Sequence, residues 1–317
     1  IILFLHAITN TWRVSSAIIL LCKVVVMETI TYLVLNWPLS VAGVLLNIFF
    51  GFCLLSPKGE APKQPLKELL ISTVFCNVAL QITVIMHLLS TLYPPYETLD
   101  TVLYFFTGYS TTTSMSSCVW LSVFYHTKIV PSQRTFFTWV KRNIKTVVYC
   151  GLVVDRIFLL AEVIFSTIFD VSVNTVSNCT VTASYMVKIN FAFHFFFLAY
   201  MLFFVGTMSL SWGSNLVYLC RNMKRIEMSG SPFSSGLRSQ MRVTITGIIQ
   251  TVLHLFCSLY LLLEWFNFIQ DDLRYRNIRT VFLFFSFGTT VNFGLSQTLI
   301  RNRAAGVFNK AFQLNRK

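Results

Sequence analysis

Apolar stretches of membrane length that carry no formal charge are the feature of this sequence that most constrains its fold. Six such stretches occur, at residues 30–55, 69–92, 101–127, 189–220, 243–263 and 280–300. A helix needs about 20 apolar residues to cross the hydrocarbon of a bilayer, and it survives there because it pairs its own backbone polar groups. The six stretches therefore predict six membrane-spanning helices.

Residues 146–169 form a seventh apolar stretch, which is interrupted by Asp155, Arg156 and Glu162. Charges inside a membrane are costly, so this helix is expected to turn them toward the bundle or to pair Arg156 with one of the acids. An amphipathic surface helix is the alternative. Insertion is favoured by the flanking charges and by the parity of the other six stretches. The sequence therefore predicts an all-α membrane protein with seven transmembrane helices over residues 27–300.

The composition excludes most classes of soluble enzyme. Charged residues make up 12% of the chain, whereas about 25% is usual in globular domains. So few charges cannot cover a water-facing surface. The net charge of +13 would otherwise suggest nucleic acid, but nucleic-acid binding needs a soluble basic face. We therefore expect no nucleic-acid partner and a different role for the basic residues.

The basic residues concentrate in alternate connections between the predicted helices. Residues 56–68, 128–145, 221–242 and 301–317 hold 18 of the 25 lysines and arginines. The other connections contain only Lys188, Arg274, Arg276 and Arg279. Cytoplasmic loops are enriched in such residues, so we expect the N-terminus outside and the C-terminus in the cytoplasm. The 301–317 tail is predicted to be amphipathic and to lie along the inner membrane surface.

A glycosylation sequon agrees with this orientation. Asn178, Cys179 and Thr180 form an N-x-Thr sequence in the connection 170–188, which the distribution of charge assigns to the outside. Glycans are added on that side of the membrane, so Asn178 is the predicted glycosylation site.

Residues 1–26 do not fit the pattern cleanly, because Arg13 and Lys23 interrupt an otherwise apolar stretch. A signal anchor or an additional helix is one interpretation of this leader. The interpretation that we favour is an extension of the gene model, with Met27 as the true start and a short outer tail before the first helix.

The segment LSVFYHTKIV, residues 121–130, ends the third predicted helix and puts Lys128 at the membrane exit. It resembles the cytoplasmic end of the third helix in vertebrate bitter taste receptors (taste receptors type 2), where the pattern is L-S-x-F-Y-x-L-K-I-A. Thr127 and Val130 depart from this pattern. FFTWVKRNI, residues 136–144, and MSLSWGSNLVYLCRNMKRIE, residues 208–227, are similar to other parts of the family.

The last predicted helix is the main departure from the family. Its sequence VNFGLSQTLIRNRAAGVF lacks the pattern H-S-x-x-L-I-x-x-N-x-K-L-K and keeps chiefly the Leu-Ile pair and a basic exit. The chain is therefore identified as a divergent member. The resemblance implies a G-protein-coupled receptor in the plasma membrane that detects bitter small molecules. It also implies coupling to a heterotrimeric G protein with a gustducin-like or inhibitory α subunit, and no enzymatic activity.

The resemblance also implies where a ligand would bind, between the outer halves of four helices. Thr107 and Thr111 stand at family pocket positions, one helical turn apart and on the same face. Phe197 belongs to an aromatic stripe, and Glu264 lies near the outer end of its helix. Each has a plainer alternative: the threonines can bond their own helix, the phenylalanine can pack or face lipid, and the carboxylate can be solvated.

The cytoplasmic ends of the helices carry the residues expected to contact the G protein. These residues are Tyr125, Lys128, Lys141, Arg142, Arg221, Lys224, Arg225 and Arg242. The same cations are expected to bind anionic membrane lipids. Four histidines lie on four separate predicted helices without the spacing of metal ligands, so we expect neither a metal nor a cofactor.

Two other functions stay open from the sequence. A vomeronasal type 1 pheromone receptor is a neighbouring chemosensory family of similar length. A small-solute transporter or channel is the alternative from a different class, although it would need a polar path through the bundle.

Overall fold

The computed structural model of the chain describes residues 29–55, 66–90, 97–131, 135–175, 180–228, 235–265, 271–296 and 305–306. The helices are α1 (Thr29–Leu55), α2 (Leu66–Ser90), α3 (Glu97–Ile129), α4 (Thr135–Arg142), α5 (Ile144–Thr175), α6 (Thr180–Met228), α7 (Ser235–Trp265) and α8 (Asp271–Ser296). The predicted leader 1–26 lies outside the described residues, as does most of the predicted tail 301–317.

Five of these helices are long and apolar enough to cross a membrane, judged by the length and composition of their described parts. They are Ile30–Leu55, Leu66–Ser90, Phe191–Ile226, Gly236–Leu263 and Arg276–Ser296. Their side chains include many large apolar groups that are exposed, such as Ile30, Phe52, Phe75 and Leu210. The architecture is that of a membrane protein built as a helical bundle.

Helices α3 and α5 cover the two other predicted spans but are not among those five. The middle of α3 is rich in threonine and serine, and α5 carries Asp155, Arg156 and Glu162 within its apolar sequence. Their lengths of 33 and 32 residues are ample for a crossing. That they cross the membrane stays a prediction.

Helix α3 occupies the centre of the bundle. Every residue from Ser110 to Val119 is buried, so this stretch is covered on all sides of the helix. It packs against α2, α5 and α6, while α1 and α8 close the bundle by packing on each other. Because α3 is surrounded by protein, its hydroxyl-bearing side chains meet other helices.

Two hydrophobic clusters mark the two ends of the bundle. One contains Leu54 near the end of α1, Leu69 near the start of α2, Phe124 near the end of α3 and Val140 in α4. The other contains Tyr32, Leu88 and Ile278 at the opposite ends of their helices. Successive long helices therefore run in alternating directions.

We call the end of the bundle that holds the last turn of α3 and the whole of α4 the basic end. The second half of α6 and the first turns of α7 lie there too, because Trp212 and Val243 pack in the first of these two clusters. The opposite end is called the far end.

Candidate functional site

A small cavity lies inside the basic end, between α3, α6, α7 and α8. Its volume is about 20 Å³, which is room for one water molecule. It is lined by Cys118, Leu121, Tyr125, Trp212, Val243, Thr246, Gly247, Gln250, Phe293 and Ser296. This cavity, its walls and the cations outside it form the candidate site.

Hydrogen bonds of Gln250 close the inner side of the cavity. Gln250 is 3% exposed and donates from Nε2 to Thr289 Oγ1 at 2.9 Å. The same nitrogen lies 3.5 Å from the Sγ of Cys118 on α3. Asn292 on α8 donates from Nδ2 to Gln250 Oε1 at 3.2 Å and to the carbonyl of Thr246 at 2.9 Å. These bonds tie α3, α7 and α8 together in an apolar environment, where an unpaired amide is costly.

Aromatic side chains form the wall between α3 and α6. The ring centroids of Tyr125 and Trp212 are 6.0 Å apart, and those of Tyr125 and Phe124 are 5.8 Å apart. Trp212 packs directly on Gly247 of α7, so that a Cβ at Gly247 would overlap the indole ring. The absence of a side chain at Gly247 is therefore what allows α6 and α7 to approach each other here.

A polar contact near the cavity also joins α3 to α6. His126 Nδ1 lies 3.2 Å from Asn215 Oδ1, which forms a hydrogen bond when the imidazole carries its proton on Nδ1. Asn215 is fully buried. The contact holds α6 against the end of α3 at the level of the basic residues.

The basic side chains predicted for the inner face surround this end. Lys128, Lys141, Arg142, Arg221, Lys224 and Arg225 are exposed, and Arg242 is half-buried. Lys128 places its Nζ 5.8 Å from the centroid of the Phe124 ring. The structure thus brings these cations to the end of the bundle where Tyr125 lines the cavity. Their contact with a G protein stays a prediction.

The predicted ligand residues do not form one group. Thr107 and Thr111 are buried in α3 and donate to the carbonyls of Leu103 and Thr107, each at 2.8 Å. Their hydroxyl protons are therefore used within their own helix, as the plainer alternative expects. Phe197 is half-buried and packs on the hydrophobic cluster of the far end.

Two further predicted sites cannot be placed by their side chains. Glu264 belongs to the last turn of α7, but its side chain lies outside the described part of the structure. Asn178 falls in the segment 176–179, which also lies outside the described residues. The ligand and glycosylation roles of the two residues stay predictions.

A second polar cluster, which the sequence analysis missed, crosses the middle of the bundle. Its members are Asn47 on α1, Asn77 and Gln81 on α2, Ser114 on α3, and Ser286 and Thr290 on α8. Ser114 donates to Asn77 Oδ1 at 2.8 Å, and Asn77 Nδ2 donates to Thr290 Oγ1 at 3.2 Å. Asn47 and Gln81 complete the chain of bonds, with Nδ2 of Asn47 donating to Oε1 of Gln81 at 3.2 Å. Amides within predicted membrane spans were the available signal.

The charges of α5 are bound by neighbouring helices. The Asp155 carboxylate accepts hydrogen bonds from Ser116 Oγ, at 2.8 Å, and from the indole nitrogen of Trp120. Arg156 donates to Ser72 at 3.0 Å and to Ser117 at 2.7 Å. The expected pairing of Arg156 with an acid of its own helix is not among the ion pairs of the described residues. Asp155 and Arg156 thus turn toward hydroxyl and indole partners on neighbouring helices, and Glu162 is buried as well.

Neither a model of a known protein family nor a curated protein matches this chain. Within the ranges that the structure describes, no group of three or more histidine, cysteine, aspartate and glutamate side chains is placed to hold a metal ion. The function is therefore inferred from the residues of the site and from the resemblance that the sequence carries.

Proposed function

We propose that this chain is a seven-helix G-protein-coupled receptor of the bitter taste type, located in the plasma membrane with its N-terminus outside. The agonist is a small, mostly apolar molecule, and the signal passes to a heterotrimeric G protein with a gustducin-like or inhibitory α subunit. The basic end is the cytoplasmic end in this proposal, as the distribution of lysine and arginine favours.

The observation that carries the proposal is the cavity at the basic end, with α3, α6, α7 and α8 around it and exposed cations outside it. Its volume of about 20 Å³ is too small to admit a segment of another protein. A receptor opens such a region when an agonist binds the open arrangement more tightly than the closed one. The closed cavity corresponds to the resting state, and separation of α6 from α3 would break the contact between His126 and Asn215.

The polar contacts of α3 and α5 support their insertion as the two remaining spans. Polar groups in a membrane are tolerated when protein partners satisfy them. Asp155 and Arg156 have such partners on α2 and α3. Ser114 and Asn77 satisfy each other in the same way. Seven crossings also place all four basic segments, 56–68, 128–145, 221–242 and 301–317, on the same side of the membrane.

The proposal is tested by measuring intracellular calcium in cells that express the full chain together with a promiscuous or gustducin-chimeric G protein. The cells are exposed to a broad panel of bitter compounds, and surface expression is measured in the same cells. We expect a dose-dependent response that disappears when the G protein is omitted. Silence across the panel at normal surface expression contradicts the bitter receptor.

The same cells distinguish the two alternatives. A response to volatile or urinary pheromone compounds, and to no bitter compound, would favour a vomeronasal type 1 receptor. Solute uptake or current that does not need the G protein would favour a transporter or channel. Orientation is tested separately with Asn178→Gln, which should remove a glycosidase-sensitive shift in electrophoretic mobility if the connection 170–188 is outside.

A further inference from the structure

The cavity at the basic end is lined by polar side chains from three different helices. They are Trp212 on α6, Thr246 on α7 and Ser296 on α8. All three residues are buried, so bulk water has little access to them. The hydrogen bonds that they make, and those that they can still make, therefore decide what the cavity holds.

Trp212 supplies a hydrogen-bond donor. Its indole nitrogen, Nε1, is buried and bonds no other residue in the described part of the chain. An indole N–H can only donate, and a buried donor is usually paired with an acceptor. The ring is held by its packing on Gly247, where a Cβ would overlap it. The cavity that Trp212 lines is where an acceptor can enter.

Thr246 and Ser296 supply hydrogen-bond acceptors. The hydroxyl of Thr246 donates to the carbonyl of Arg242 at 2.9 Å, and that of Ser296 donates to the carbonyl of Phe293 at 2.9 Å. A hydroxyl has one proton and two lone pairs. Both oxygens have given their proton to their own helix, so toward the cavity they can only accept.

We propose that the cavity binds one water molecule, which accepts a hydrogen bond from Trp212 Nε1 and donates to the hydroxyl oxygens of Thr246 and Ser296. The volume of about 20 Å³ suits one water, and three hydrogen bonds are typical of a buried water. A cation would be repelled by the indole N–H, and an anion by the lone pairs of the two hydroxyls. Neither kind of ion satisfies all three groups, whereas water does.

The bound water links α6 to α7 and α8. Those two helices are already joined directly, because Asn292 donates to Gln250 Oε1 at 3.2 Å. Helix α6 meets α7 at the cavity through the packing of Trp212 on Gly247. A bridging water is nearly as favourable as a direct hydrogen bond, so it adds a polar link to this packing. The inference concerns the structure of the basic end and does not depend on the receptor proposal.

Hydroxyl-radical footprinting of the purified full chain in detergent micelles tests for the water. A short X-ray pulse splits water into hydroxyl radicals, also where the water is buried, and the radicals oxidise the nearest side chains. Phe293 lines the cavity and is 8% exposed. Phe124 is the matched control, because it belongs to the same end, is 7% exposed and is not one of the lining residues. Mass spectrometry of peptides gives the oxidation rate of each phenylalanine.

Two variants remove an acceptor from the cavity. Thr246→Val keeps the shape of the side chain, and Ser296→Val also fills part of the volume with methyl groups. Thr251→Val is the matched control, because Thr251 lies on the same helix as Thr246 and donates to the carbonyl of Gly247 at 2.9 Å. Size-exclusion chromatography and the melting temperature show whether each variant is folded.

We expect Phe293 to be oxidised severalfold faster than Phe124 in the wild type and in Thr251→Val. Its rate should fall in Thr246→Val, and in Ser296→Val it should fall to the rate of Phe124. Equal oxidation of the two phenylalanines in the wild type would overturn the proposal, and this comparison needs no variant to fold. Fast oxidation of Phe293 that persists in both folded variants would also overturn it, since the radicals would then come from water outside the cavity.

Discussion

Asn292 of α8 donates a hydrogen bond to Gln250 of α7 at 3.2 Å, beside the cavity of the basic end. The same Gln250 donates to Thr289 at 2.9 Å. Each of these two hydrogen bonds joins α7 to α8, at the place where the proposed receptor has to open. Loosening this junction should favour the open arrangement.

Gln250→Leu tests the junction. It leaves the buried Asn292 and Thr289 with fewer partners, and an unsatisfied buried group costs about 1–3 kcal/mol. We expect a lower melting temperature of the purified chain and higher basal signalling in cells. Thr251→Ala is the matched control, because within the described part of the chain Thr251 bonds only the carbonyl of Gly247 in its own helix. Unchanged stability of Gln250→Leu would show that the junction is not holding the helices.

Gly247→Ala tests the close approach of α6 and α7. Its Cβ would overlap the indole of Trp212, so the helices must shift or the ring must turn, at a cost of about 1–3 kcal/mol. Gly213→Ala on α6 is the control, since a Cβ there meets no atom of another described element within 4 Å. Thermal unfolding should show destabilisation for Gly247→Ala alone. Equal melting temperatures for the two variants would refute the packing described for the cavity wall.

Asp155→Ala tests whether α5 is held in the bundle by its polar contacts. It removes the buried acceptor of Ser116 and Trp120, and each buried donor left without a partner costs about 1–3 kcal/mol. We expect loss of surface expression or strong destabilisation. Ser116→Ala removes only one of the two bonds and should cost far less. A fully stable Asp155→Ala protein would argue that α5 is not packed as described.

The double variant Lys224→Ala, Arg225→Ala tests the role of the exposed cations on α6. Charged groups at an interface rim mainly set the rate of association, so weaker coupling to the G protein is expected, by about tenfold at low salt. Agonist binding and surface expression should be unchanged, because both side chains are exposed. Lys145→Ala, an exposed cation outside the predicted contact set, is the control. Equal responses in all three proteins would assign these charges to membrane orientation alone.

The positions of the helices could be predicted because a charge-free apolar stretch is a local property of the sequence. The predicted 30–55 and 101–127 correspond closely to α1 and α3. Helix α8, which contains most of the predicted stretch 280–300, begins earlier, at Asp271. Arg276 and Arg279 ended the apolar stretch and were assigned to a connection, whereas a helix tolerates both in its first turns.

The contacts between helices could not be predicted, because they depend on how each helix is rotated and packed. Thr290 donates to Asn47 Oδ1 at 3.1 Å although 243 positions separate the two residues. The partners of Asp155 likewise lie on another helix. The cavity wall depends on Gly247 and Trp212, two residues that the sequence analysis did not single out.

The most direct test of the account is the rate at which an inhibitory or gustducin-like α subunit binds a labelled, non-hydrolysable GTP analogue in membranes that contain the chain. The bitter panel is applied to membranes with the wild type, with Gln250→Leu and without the chain. The account predicts faster exchange with an active compound for the wild type, and faster exchange without any compound for Gln250→Leu. The same slow exchange in all three membranes, with the chain present and folded, would contradict the proposal that this protein activates a G protein.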